Sequence, residues 1–73
     1  MIDTPYHALQ DAITAAGGQA ALARALGIKQ ASVAGWIWTR LPAERVLDVE
    51  RITGVAKERL RPDLYRPATE AAE

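Results

Sequence analysis

The sequence predicts an all-α fold, a compact bundle of about five short helices. Apolar residues recur at three- and four-residue spacing, and no stretch alternates in the manner of a strand. Gly17-Gly18, Gly27, Pro42, Gly54 and Pro62 cut the chain at intervals of one short helix. The composition, 49% hydrophobic and 25% charged, is that of a folded globular domain. With 73 residues there is room for one domain with a modest core, and stability is expected to be marginal.

The first helix starts at Thr4-Pro5, where the Thr hydroxyl caps and Pro loses nothing by lacking an N–H. Tyr6, Leu9, Ile13 and Ala16 follow along one face, and Gly17-Gly18 ends the helix. The second helix runs from about Gln19 to Leu26, is rich in Ala and stops at Gly27. Ile28-Lys29 makes a turn, and a third helix runs from about Gln30 to Trp38 with Val33, Trp36 and Ile37 inward. Leu41-Pro42-Ala43-Glu44 opens a fourth helix. Val46 and Val49 are assigned to its core side, with Leu47 and Ile52 as further candidates, and Gly54 closes it. A short turn around Ala56–Leu60 follows, after which Pro62 and Pro67 bar a long helix. Leu64 and Tyr65 are expected to anchor the end of the chain on the body. The domain is expected to span residues 1–66, with a flexible C-terminal tail at 67–73.

The stretch Gln19–Trp38 carries the strongest pattern. Two short helices joined by a tight Gly-bearing turn are the helix-turn-helix arrangement. That geometry asks for core contacts from the first helix (Leu22, Leu26) and a small residue at the closest approach (Ala23). It asks for a turn residue tolerant of positive φ (Gly27), an apolar residue after the turn (Ile28) and an apolar inner face on the second helix (Val33, Trp36). Every one of these positions matches.

Ala15-Ala16-Gly17-Gly18-Gln19-Ala20-Ala21-Leu22-Ala23, Leu26-Gly27-Ile28, Leu41-Pro42-Ala43-Glu44-Arg45-Val46, Glu50-Arg51-Ile52-Thr53-Gly54 and Leu60-Arg61-Pro62-Asp63-Leu64-Tyr65 also make the chain resemble a known group. It resembles the small phage-type Cro/repressor-like helix-turn-helix proteins, and among them the YdaS-like group of prophage regulators. The resemblance spans roughly residues 8–66. It implies a lambda-repressor-like fold and a transcriptional repressor that binds a palindromic operator, commonly as a dimer. It also implies which residues meet double-stranded DNA. The first residues of the third helix, Lys29, Gln30, Ala31 and Ser32, reach base edges, with Ala34 and Gly35 one turn on. Gln30 is suited to adenine, Lys29 to guanine or phosphate, and Ala31 or Ala34 to a thymine methyl. Gln19 at a helix N-terminus, Arg40 and Thr39 are placed for phosphate.

The departures from the group's pattern fall on this same surface. Lys29 replaces the usual Ser or Thr cap, Gly35 replaces a polar reader, and Ile37-Trp38-Thr39 replaces a segment that is often basic. Trp38 beside Ile37 is a candidate protein contact, as are Leu64 and Tyr65. A second reading therefore stands beside the first, that of a helix-turn-helix scaffold serving as an antitoxin-like or regulatory protein-interaction module.

Charge limits both readings. The net charge is +0, yet between Ala12 and Ala43 the only charges are Arg24, Lys29 and Arg40, a local +3 against −3 elsewhere. A positive middle is what phosphate contact needs. No Ser/His/Asp or Cys/His set and no phosphate-binding Gly loop is present, so no enzyme and no small-molecule substrate is expected. His7 with Asp11 four residues on is no metal site, Cys is absent, and no cofactor is expected. The beginning of the chain does not read as a signal peptide, and no apolar run reaches a membrane span. A cytoplasmic protein with double-stranded DNA, a second copy of itself and a further protein as partners is the resulting expectation.

Overall fold

The computed structural model describes residues 4–65, and the expected tail at 67–73 lies outside them. α1 (Pro5–Ala16) begins as the sequence requires: the Thr4 hydroxyl accepts the His7 N–H at 3.2 Å and Pro5 fills the first turn. It ends where the Gly18 N–H reaches back to the Ile13 carbonyl at 2.8 Å. α2 (Gln19–Leu26) ends in the same motif, with the Ile28 N–H on the Ala23 carbonyl at 3.0 Å. Gly27 takes φ 73° there, a left-handed conformation that Gly adopts without steric cost. This turn sets the direction of α3 (Gln30–Trp38).

A 3-10 turn (Ala43–Arg45) leads into α4 (Val46–Thr53), and α5 (Lys57–Leu60) follows. The fourth helix therefore begins later than Pro42 suggested, its expected first turn being wound more tightly. α5 is capped from a distance, because the Glu50 carboxylate on α4 accepts the Lys57 N–H at 2.9 Å. Glu50 is thereby a link between two elements.

Among the described residues, one core joins the five helices. α1 supplies Ala8, Leu9, Ala12 and Ile13; α2 supplies Leu22 and Ala23; α3 supplies Val33 and Trp36. Leu41, Val46, Val49, Val55 and Leu60 close it from the C-terminal half. Ala16, Leu26, Ile28, Ile37 and Ile52 pack around its edge. α2 packs most extensively on α3, and α1 on α4. The small Ala8 and Ala12 side chains let α1 approach its neighbours closely.

Three apolar residues depart from expectation. Tyr6 is half out of the core, because it sits in the first turn of α1, where its hydroxyl accepts from Gln10 at 3.0 Å. Leu47 is exposed, since Val46 and Val49 already turn the inner face of this short helix to the core. Leu64 is exposed as well, so only Tyr65 of the expected anchor pair packs against the core. Lys57 Nζ lies 5.8 Å from the Tyr65 ring centroid.

Candidate nucleic-acid interface

Lys29 is the N-cap of α3 in an extended conformation (φ −79°, ψ 145°), and its side chain makes no capping bond. Lys cannot accept, so the first N–H groups of α3 lack a side-chain acceptor at the cap. Lys29, Gln30, Ala31 and Ser32 are all exposed. Helical periodicity carries the same outward surface on through Ala34 and Gly35, both half-buried, to Trp38 at 87% exposure. Helical spacing thus puts Gln30, Ala31, Ala34, Gly35 and Trp38 on one side of α3, with Lys29 and Ser32 exposed at the start of the same helix. Trp38, read from the sequence as a separate protein contact, belongs to the face assigned to DNA.

The surface is low and mostly uncharged. Gly35 has ordinary helical φ, and a Cβ built on it meets nothing within 4 Å. Internal packing therefore does not require Gly there. Gly35→Ala is expected to raise stability by about 0.5–1 kcal/mol, read as a higher urea midpoint at unchanged slope. A drop in the midpoint would show that the position is constrained after all.

The flanking residues are less uniform. Gln19 opens α2 behind Gly18, which gives no side-chain cap, and is half-buried. The Thr39 hydroxyl donates to the Gly35 carbonyl at 3.1 Å, so the end of α3 already uses that proton. Arg40 is exposed, but its Nη1 lies 3.8 Å from Asp63 Oδ2. The segment without acids is accordingly not without acids in space. Asp63 stands 23 positions away in the chain, and no local pattern announces the pair.

Asp63 is itself held by Arg61, whose Nε and Nη2 donate to its two oxygens at 2.9 and 2.6 Å. Arg61 Nη1 donates to the Leu41 carbonyl at 2.8 Å. The hydrogen bonds from Arg61 lower the Asp63 carboxyl to about 2, so it stays ionised where ordinary carboxylates take up protons. Arg61 and Asp63 are the residues of this region that sequence reasoning passed over, although both lie within a stretch it singled out.

Helix order, the Gly27 turn and the exposed first turn of α3 are consistent with a helix-turn-helix unit. A family model described as bacterial toxin YdaS matches residues 9–69. The chain belongs to the YdaS family. The match contains the whole α2–turn–α3 unit, and it agrees with the YdaS-like resemblance read from the sequence. A candidate transcriptional regulator named YdaS, from Escherichia coli (strain K12), is 44% identical over 62 residues. That alignment covers 80% of this chain and 63% of the relative, so the chain spans less than two thirds of the curated relative it matches. No solved structure matches the chain. Among the described residues, no helix is long and apolar enough to cross a membrane.

Proposed function

We propose that this YdaS-family chain is a sequence-specific, double-stranded DNA-binding transcriptional regulator. It acts as a Cro-like repressor, two copies binding a palindromic operator through the major groove. The observation that carries the reading is the exposed first turn of α3, Lys29 to Ser32, with no side-chain cap, following α2 and the Gly27 turn. A helix end of this kind offers N–H donors and short side chains to base edges and phosphate. Gln30 reads adenine through its amide, Lys29 takes guanine or phosphate, and Ala31 and Ala34 meet thymine methyls. Gly35 leaves the groove floor room to approach. Gln19, Thr39 and Arg40 flank the helix for phosphate. The name of the Escherichia coli relative supports the regulatory part of this reading.

Fluorescence polarisation with duplexes from the promoter region of the chain's own gene tests it. Binding is expected to prefer one duplex over a scrambled one and to weaken with salt. Gln30→Ala is expected to cost about 1–3 kcal/mol and to relax base choice at one position of each half-site. Equal affinity for all duplexes at every salt concentration would sink the reading.

One observation favours a second reading. Trp38, at 87% exposure, is a large apolar group on the same face, and the family's description is that of a toxin. A helix-turn-helix scaffold that docks a protein through Trp38, with Leu64 and Tyr65 as further contacts, accounts for that exposure. The readings part on Trp38→Ala: a protein-docking surface loses its partner in a pull-down, whereas on the DNA reading the base preference set by the first turn of α3 persists.

A further inference from the structure

Arg40 differs in its surroundings from the other two bases of the acid-free segment. Among the described residues Arg24 and Lys29 make no ion pair, whereas Arg40 faces Asp63. Surface pairs of this kind usually form and break freely. This one is different on the acid's side. Asp63 receives both donors of the Arg61 fork, and the Arg61 side chain is only 11% exposed. Arg61 is in turn fixed to the carbonyl of Leu41, the buried residue that follows Arg40. The carboxylate is thereby held by Arg61, and its Oδ2 is shared between the largely enclosed Arg61 guanidinium and the exposed one of Arg40. Arg40 itself keeps a side chain 68% open to solvent at the end of α3.

We propose that Asp63, clamped by Arg61, is a positioning residue for the α3 interface: it holds the Arg40 guanidinium at the edge of that surface and cancels part of its charge, so that a nucleic-acid phosphate must compete with it. The inference rests on the DNA reading for its ligand and not for its geometry. Any polyanion approaching the end of α3 meets the same restraint. Because the Asp63 carboxyl titrates near pH 2, the restraint persists across the physiological range and is not a pH switch. Its physical effect is to keep non-specific phosphate binding weak, leaving discrimination to the first turn of α3.

The test uses the full chain, with a duplex from its own promoter region and, in parallel, elution from a heparin column. Asp63→Asn keeps a carbonyl acceptor for Arg61 and removes the charge. It is expected to tighten duplex binding by up to about fivefold at low salt. It is also expected to steepen the salt dependence by up to about 0.9 in log–log slope, the change that one full phosphate contact makes. Adding Arg40→Gln to Asp63→Asn is expected to erase both gains. Asp48→Asn makes the same change in net charge at a carboxylate paired with Arg51 instead of Arg40 and is expected to give neither.

Unchanged affinity and slope in a folded Asp63→Asn chain overturn the proposal, as does an equal gain from Asp48→Asn. If Asp63→Asn does not fold, Arg40→Gln alone decides. Its loss is expected to be at least about twofold smaller than that of Lys29→Gln, since Asp63 already offsets the Arg40 charge. Equal losses overturn the proposal. A chain that prefers no duplex but whose Asp63→Asn variant leaves heparin at higher salt, reversed by Arg40→Gln, refutes the DNA reading and supports the restraint.

Discussion

Trp36→Ala is expected to lower the unfolding free energy by about 3–5 kcal/mol. Trp36 sits on the inner face of α3 at 8% exposure, in the core that α1, α2 and the C-terminal half complete. Removing the indole leaves a cavity that three rigid elements cannot all close. A domain of this size has roughly 5 kcal/mol in total, so the variant should be largely unfolded near 37 °C. Circular dichroism during urea titration measures it. Trp38, exposed in the native chain, is then the one tryptophan left, and its emission should change little on unfolding. A midpoint within error of the parent would mean that α3 is not packed through Trp36.

Ala31→Glu is expected to separate folding from binding. Ala31 is exposed in the first turn of α3, behind a Lys29 cap that offers no acceptor. A carboxylate there faces the positive end of the helix dipole and should leave stability unchanged or raise it by about 0.3–1 kcal/mol. The same charge is then presented to the phosphate-lined groove. Like-charge juxtaposition at an interface costs several kcal/mol, so the duplex Kd is expected to rise more than about a hundredfold. Polarisation titration and thermal melting on the same preparation measure both. Duplex binding within about threefold of the parent would place the DNA contact elsewhere on the molecule. The variant complements Trp36→Ala, which destroys the scaffold, by changing one face of an intact one.

Family membership fixes the context of these tests without deciding between them. The family's description is a bacterial toxin, and the Escherichia coli relative is named as a candidate regulator. A repressor face and a protein-docking face both place weight on α3, and Trp38 joins them physically. Its position one turn beyond Ala34 and Gly35 makes it a neighbour of the base-reading residues in the proposed geometry. A variant there is informative for both readings.

Sequence by itself determined the helices and most of their ends, the start of α4 excepted. Thr4-Pro5, Gly17-Gly18, Gly27 and Gly54 act within one or two turns of the chain, so their effects are local and legible. The inner faces of α2 and α3 were legible for a related reason, since helical spacing alone puts Leu22, Ala23, Val33 and Trp36 on the sides that meet. Tertiary structure decided what depends on neighbours distant in sequence. It left Tyr6, Leu47 and Leu64 at the edges of a small core that the other residues had filled. It used Glu50 to cap α5 and Arg61 to hold the Leu41 carbonyl. It also brought Asp63 to Arg40, so that a segment free of acids along the chain is not free of them in space. Backbone caps follow from local conformation, whereas a Coulomb interaction depends on distance and surroundings, and for remote residues both are set by the packing of the helices together.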